Sequence, residues 1–281
     1  MSIVTFWNGT DEQCGTTSSC IAYATQIAIQ HNIKVLLIST SLNDNLIKES
    51  FWPERKKSMF SLFKNEGSGV GVETSGIIGL DRIIRSNKIS PEIITDYAKI
   101  VLTNRLEIIL GVEGDENQYN QVKEKYAQII NLAGKYYDMV IVDLDRKVGL
   151  QSEIEILQQS DIVVALVPQR AKKIMEIQNI INEGQILKEE NTIMAIGKYM
   201  ENTKYNAKNI TRNLLKKKDI INTIPYNNLF FEASQEGTVI DVFLNLLRVK
   251  EKDPNYIFID EITKLNDTIK GKIEMIQMLK Q

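Results

Sequence analysis

The stretch Ile3-Val4-Thr5-Phe6-Trp7-Asn8-Gly9-Thr10-Asp11-Glu12-Gln13-Cys14-Gly15-Thr16-Thr17-Ser18-Ser19 decides the fold. Its first five residues are β-branched or aromatic and read as a buried strand, and a polar, glycine-bearing turn follows. Ile21, Ala22, Ala24, Ile27 and Ala28 then recur at helical spacing. Val35-Leu36-Leu37-Ile38 is a second strand. Strand, turn, helix and strand make a βαβ unit. Its first turn has the outline of a phosphate-binding loop, G-x-x-x-x-G-K-[ST]. Here Gly15 is followed by Thr16 and Thr17, so a threonine occupies the lysine position.

The remaining chain extends the same alternation. Leu106 to Gly111, Met139-Val140-Ile141-Val142, Ile162 to Val167, Thr192 to Gly197 and Ile220 to Ile224 are short, nearly continuous apolar runs. Helical spacing separates them at Leu80-Ile83-Ile84, from Ser90-Pro91-Glu92, over Tyr119 to Ala133, Ile154 to Gln159, Lys172 to Leu187 and Lys208 to Leu215. Apolar strands alternating with helices predict an α/β fold of three layers, αβα, with a mainly parallel sheet covered on both faces. The Gly/Ser-rich segment Asn65 to Gly79 reads as a mobile loop. We expect a single domain over 1–281 that ends in a helix over 257–279.

Composition narrows the function classes. At 281 residues with 43% hydrophobic and 25% charged, the chain is ordinary globular material. A formal net charge of -2 gives no global pull toward nucleic acid or anionic membrane. Cys14 and Cys20 have neither metal-ligand spacing nor the number a disulfide framework needs, which points to a reducing compartment. No run spans a bilayer and no signal peptide is evident, so a cytoplasmic location is expected. His31 is the sole histidine and is expected at the surface, which leaves no histidine-based triad or metal cluster.

In order and spacing these segments resemble the ParA/MinD family, the deviant-Walker P-loop ATPases that position plasmids, division sites and secretion or pilus machines. Gly15-Thr16-Thr17-Ser18-Ser19 with Ile21-Ala22 and Ala24 is similar to the family's G-K-T-T-S…A-x-x-x-A loop and helix. Tyr137-Asp138-Met139-Val140-Ile141-Val142-Asp143 resembles its Walker B strand. Ser160-Asp161-Ile162 through Pro168 resembles "AD.VI.V..P", and Ile224-Pro225 with Phe231-Glu232-Ala233 and Gly237 resembles "IP….EA…G".

The resemblance implies ATP or ADP with Mg2+ as ligands, a homodimer across the phosphate-loop face, and a protein partner in a partition, conjugation or secretion apparatus. It places phosphate contacts on Glu12, Gln13, Cys14, Gly15, Thr16, Thr17 and Ser18, magnesium directly on Thr17 and through water on Asp143, catalytic acids at Asp143 and Asp145 with Asp145 ordering water, and an adenine between Tyr199 and Pro225. The family's adenine-reading asparagine is replaced near Lys198-Tyr199. The family's signature lysine falls on Asp11, its loop lysine on Thr16 and its aspartate after the second strand on Ser39, so the Walker A motif is degenerate.

Two readings of the loop follow. Backbone N–H groups at a helix start still attract phosphate without the lysine. Losing one charge-assisted contact costs on the order of 1.5–3 kcal/mol, so weak nucleotide binding is compatible with the sequence and efficient hydrolysis is less so. The same threonines and serine also suit a plain capped helix without ligand. Asp143 likewise reads either as a magnesium-side acid or as a strand-end carboxylate facing solvent or capping the next turn.

Arg55-Lys56-Lys57 and Lys216-Lys217-Lys218 are possible contacts for non-specific DNA, or solvated helix-end charges. Asp260, Glu261, Asp267 and Glu274 alternate with Lys264, Lys270, Lys272 and Lys280 along the last helix. Mixed charge favours packing on the domain or a partner over membrane binding.

Overall fold

A computed structural model describes residues 1–10, 12–53, 76–85, 90–214 and 221–279. Asp11, both basic runs at 55–57 and 216–218, Lys280, and 65–75 of the Gly/Ser-rich segment lie outside them. Eight strands form one sheet: β1 (Ser2–Asn8), β2 (Val35–Ser39), β3 (Lys99–Leu102), β4 (Leu106–Ile109), β5 (Met139–Leu144), β6 (Ile162–Val167), β7 (Thr192–Tyr199) and β8 (Asn222–Pro225). Their order is β3-β4-β2-β5-β1-β6-β7-β8. All pairs are parallel except β3 with β4, an antiparallel edge that the sequence reading lacks.

The helices are α1 (Thr16–Gln30), α2 (Leu46–Phe51), α3 (Gly76–Arg85), α4 (Glu116–Val122), α5 (Tyr126–Gly134), α6 (Leu150–Gln159), α7 (Ala171–Glu183), α8 (Ala207–Leu214), α9 (Asn228–Glu236), α10 (Val239–Leu246) and α11 (Tyr256–Leu279). Strand side chains alternate between faces. Val4, Phe6, Val35 and Leu37 therefore join α1, α2, α9, α10 and α11 in one apolar layer. Ile3, Trp7, Leu36 and Ile38 face the opposite layer, built from α3 to α8. This is the expected three-layer αβα arrangement.

Local details differ from the sequence reading. Gly76 to Gly79, expected in the mobile loop, begin α3, whose Ile77, Leu80 and Ile84 are buried. Pro91–Asp96 is a short 3-10 turn, not a longer helix. Tyr119 to Ala133 is divided into α4 and α5 by the 3-10 turn Lys123–Lys125. α2, α9 and α10 are too short to stand out as helical periods. His31 is half-buried, a correction to its expected surface position: its Nε2 lies 3.1 Å from Lys270 Nζ on α11.

Helix α11 packs on the domain, as its mixed charge suggests. Phe258, Ile262, Leu265 and Ile269 are buried, and Gln26 Nε2 of α1 donates to Thr263 Oγ1 at 2.6 Å. No helix among the described residues is long and apolar enough to cross a membrane. Truncating Leu265, which is 0% exposed, to alanine leaves a cavity between α11 and the sheet. Leu265→Ala is expected to lower the unfolding free energy by about 2–5 kcal/mol, read from urea titration. The exposed neighbour substitution Lys264→Ala, which removes its contacts with Asp260 and Glu261, is expected to cost less than about 1 kcal/mol.

Candidate functional site

Parallel strands end at one edge of the sheet, and ligands of α/β proteins bind there, where the strand order reverses. In this chain the reversal lies at β1, which has β5 on one side and β6 on the other. The segment after β1 is folded on its own side chains. Asn8 Oδ1 accepts from the Thr10 N–H at 2.9 Å and from Thr10 Oγ1 at 2.8 Å, and Asn8 Nδ2 donates to the Glu12 carbonyl at 2.8 Å.

Gly15 closes the loop with φ 81° and ψ 36°, a left-handed conformation that side chains disfavour. Its carbonyl accepts from the Ser19 N–H at 2.9 Å and from Ser19 Oγ at 2.8 Å. The first N–H groups of α1 are left facing a cavity of about 390 Å3. Gln13, Cys14, Gly15, Thr16, Thr17 and Ser18 line it, together with Asp44, Asp143, Asp145, Arg146 and Lys198.

Asp143, next to the last residue of β5, is only 4% exposed and does not face solvent as one sequence reading had it. Its Oδ2 accepts from Thr17 Oγ1 at 3.0 Å. Burial pushes its carboxyl from the ordinary 3.8 to about 7; Thr17's hydrogen bond opposes the rise, while Asp44 and Asp145 add to it. Thr40 clamps the neighbouring strand end. Its N–H and Oγ1 donate to the Asp143 carbonyl, both at 3.1 Å, and its Oγ1 accepts from the Asp145 N–H at 2.8 Å. Asp145 Oδ1 accepts from the Lys147 N–H at 2.8 Å. Ser39 and Ser41, where the family carries acids, are buried and share a 2.8 Å hydroxyl contact.

Three expected residues are placed differently from the cavity lining. Glu12 turns away from the cavity and pairs with Arg170, Oε1 to Nη1 3.1 Å. Tyr199 is the register partner of Pro225, yet its hydroxyl accepts from the Ala207 N–H at 3.0 Å, at the start of α8, and it lines neither cavity. Pro225 does line a second, more apolar cavity of about 240 Å3, with Ile224, Tyr226, Phe230, Phe231 and Phe258. The two cavities share Gly15, Ser18, Leu46 and Lys198.

Lys198, Arg146 and Asp44 are the site residues that sequence reasoning missed. For Lys198 the signal was its place at the end of a strand whose C-terminal edge lies beside the loop. The approach of β7 to the loop rests on Gly197, where a Cβ would lie 2.0 Å from the Cys14 carbonyl oxygen.

A metal fits the donor set. Mg2+ takes oxygen ligands, often one or two carboxylates, waters and substrate phosphates. Thr17 Oγ1 and Asp143 Oδ2 are adjacent oxygens, and a buried carboxyl with so high a pKa gains most from a nearby cation. Among the described residues no group of three or more His, Cys, Asp or Glu forms a self-sufficient metal cage.

The Asp143 carboxyl sets a pH signature for the ligand-free protein. Between about pH 4 and 7 the folded chain holds a proton that the unfolded chain has lost. Stability from this group is therefore present at the acid end and declines as pH rises through 7. Asp143→Asn removes the decline. Its stability advantage over the natural chain, read by denaturant titration without metal, is expected to grow by about 2–3 kcal/mol from pH 5 to pH 8. A difference constant with pH would contradict a buried titrating carboxyl.

No family model matches the chain, and no curated protein matches it in sequence. Solved structures do match in fold. A ParA family ATPase from Chlorobium tepidum TLS superposes with a TM-score of 0.64 at 13% identity, covering 86% of this chain and 92% of its own. The septum site-determining protein MinD of Pyrococcus horikoshii OT3, complexed with Mg-ADP, gives 0.61 at 12% identity, covering 96% and 98%. The MinC:MinD cell division protein complex of Aquifex aeolicus gives 0.57 at 16% identity, covering 95% and 96%. With its mostly parallel eight-stranded sheet, two helical layers and glycine-closed loop at the β1 edge, the chain has the fold of the ParA and MinD P-loop ATPases.

Proposed function

We propose that the chain is a ParA/MinD-like positioning or assembly factor that binds ATP or ADP with Mg2+ at the Gly15 loop and uses the nucleotide as a dimerisation switch. The observation that carries this reading is the 3.0 Å contact of Thr17 with the buried Asp143 beneath the open N-terminus of α1. Helix N–H groups bind the phosphates, and Thr17 and Asp143 hold the metal. Mg2+, when bound, neutralises phosphate charge and fixes the phosphate geometry. Pro225 and the aromatic wall of the smaller cavity suit a base. Asp145, at the rim, is the group that orders a water. The likeness to a MinD that carries Mg-ADP supports the same class of ligand.

A second reading is a non-hydrolysing scaffold that binds protein partners. It is favoured by the buried Ser39–Ser41 hydroxyl pair, which carries no charge where the family has acids, and by Thr16 at the loop-lysine position. On either reading the site of action is the cytoplasm, and the partner belongs to a partition, conjugation or secretion apparatus. Non-specific DNA is assigned, if anywhere, to the basic runs at 55–57 and 216–218. Membrane binding is disfavoured, because α11 buries its apolar face on its own domain.

Isothermal titration with Mg-ATP and Mg-ADP, sedimentation with and without nucleotide, and phosphate release separate these readings. Binding with ATP-dependent dimerisation and turnover is expected of the ATPase, and binding without phosphate release identifies the scaffold. The absence of both binding heat and phosphate release would remove the nucleotide reading. Binding through Asp143 displaces its proton, so Mg-nucleotide affinity is expected to rise between pH 6 and 8. Thr16→Lys is expected to tighten ATP binding by about tenfold or more, and unchanged affinity would count against an intact pocket.

A further inference from the structure

Lys198 is held in a way that ordinary strand continuation does not require. The β7–β8 register shifts between Gly197 and Tyr199, so Lys198 is the displaced residue of an irregular strand end. Its φ is 49°, one of three positive values on non-glycine residues among those described. Irregularities of this kind re-aim a side chain and cluster at functional sites. The side chain it re-aims crosses the phosphate loop: a Cβ on Gly15 would lie 3.2 Å from both Cγ and Cε of Lys198. Burial raises the Cys14 thiol's pKa, and the Lys198 ammonium opposes that rise, so the charge acts on the loop as well. Lys198 is exposed, has no ion-pair partner among the described residues, and forms part of the wall shared by the two cavities.

We propose that Lys198 is the phosphate-binding cation of this site, reaching over Gly15 from the end of β7 in place of the lysine absent from the loop. The proposal rests on the nucleotide-binding reading above. A P-loop lysine approaches its phosphates from the start of the helix. Here the loop position holds neutral Thr16, while Arg170 balances the nearest described loop acid, Glu12. The cation therefore comes from the strand on the far side of the loop, and Gly197 brings that strand close enough. Because Lys198 stands where the polar and apolar cavities meet, its ammonium serves the phosphates nearest the nucleoside. ADP and ATP depend on it alike, and adenosine does not.

The test compares Mg-ADP, Mg-ATP, pyrophosphate and adenosine binding to the natural chain, Lys198→Met, Lys198→Arg and Lys198→Met/Thr16→Lys, by titration calorimetry with competition by a fluorescent ADP. Lys198→Met is expected to lose about ten- to a hundredfold in affinity for ADP, ATP and pyrophosphate, with adenosine changed less than about twofold. Lys198→Arg keeps most of the affinity, and Thr16→Lys restores it in the Met background. Thermal melts report folding; Lys198→Gly, which tolerates the positive φ, supplies the same charge loss in a relaxed backbone. Unchanged ADP affinity in both Lys198→Met and Lys198→Gly overturns the proposal, as does an equal loss for adenosine, which would make Lys198 a base contact. A natural chain that binds none of the four ligands overturns the nucleotide reading and this proposal with it.

Discussion

One hydrogen bond, Thr17 Oγ1 to Asp143 Oδ2 at 3.0 Å, joins the first turn of α1 to the end of β5. The two residues are 126 positions apart in the chain, one on a helix and one on a central strand of the sheet. The loop after β1 enters α1 through Gly15, whose left-handed conformation suits glycine. The clamps around the contact act to the same end. Asn8 folds the loop on itself, and Thr40 ties β2 to β5 beneath it. The cavity is therefore built by backbone geometry, and the side chains that enter it decide its chemistry.

That chemistry turns on an imbalance of charge. Asp44, Asp143 and Asp145 face the cavity with Arg146 and Lys198 as cations. On the proposed nucleotide reading, a polyphosphate entering alone would meet three acidic side chains, which a divalent metal and Lys198 would offset. Burial raises the Asp143 carboxyl to about 7, so it is part protonated and part ionised near neutral pH. On the proposed Mg-nucleotide reading, ligand entry releases that proton without any histidine. His31 is remote from the cavity, set between α1 and α11 beside Lys270.

The strands and their layers were legible in the sequence because parallel strands buried on both faces leave long apolar runs such as Ile162 to Val167. Gly15, Thr17 and Asp143 were legible because their roles are local: a turn that needs positive φ, a hydroxyl in the first helical turn, and an acid at a strand end. The antiparallel edge strand β3 was not, because an exposed four-residue strand has little apolar pattern to read. Helices α2, α9 and α10 were missed for a related reason: six to nine residues give too few turns for a period. Tyr199, expected beside a base, directs its hydroxyl to α8. At an irregular strand end the side-chain alternation shifts, and Lys198 takes the loop side while Tyr199 takes the other.

The sequence by itself determined the βαβ start, the mainly parallel sheet and the absence of a lysine from the loop, since each is written in residue types at short spacing. Only the tertiary structure decided what occupies that loop's charged surroundings. Glu12 was removed by pairing with Arg170, 158 residues away, and Lys198 was brought in over Gly15 from β7. Both are long-range juxtapositions set by strand order and by the close approach of Gly197 to Cys14, and no local pattern encodes them.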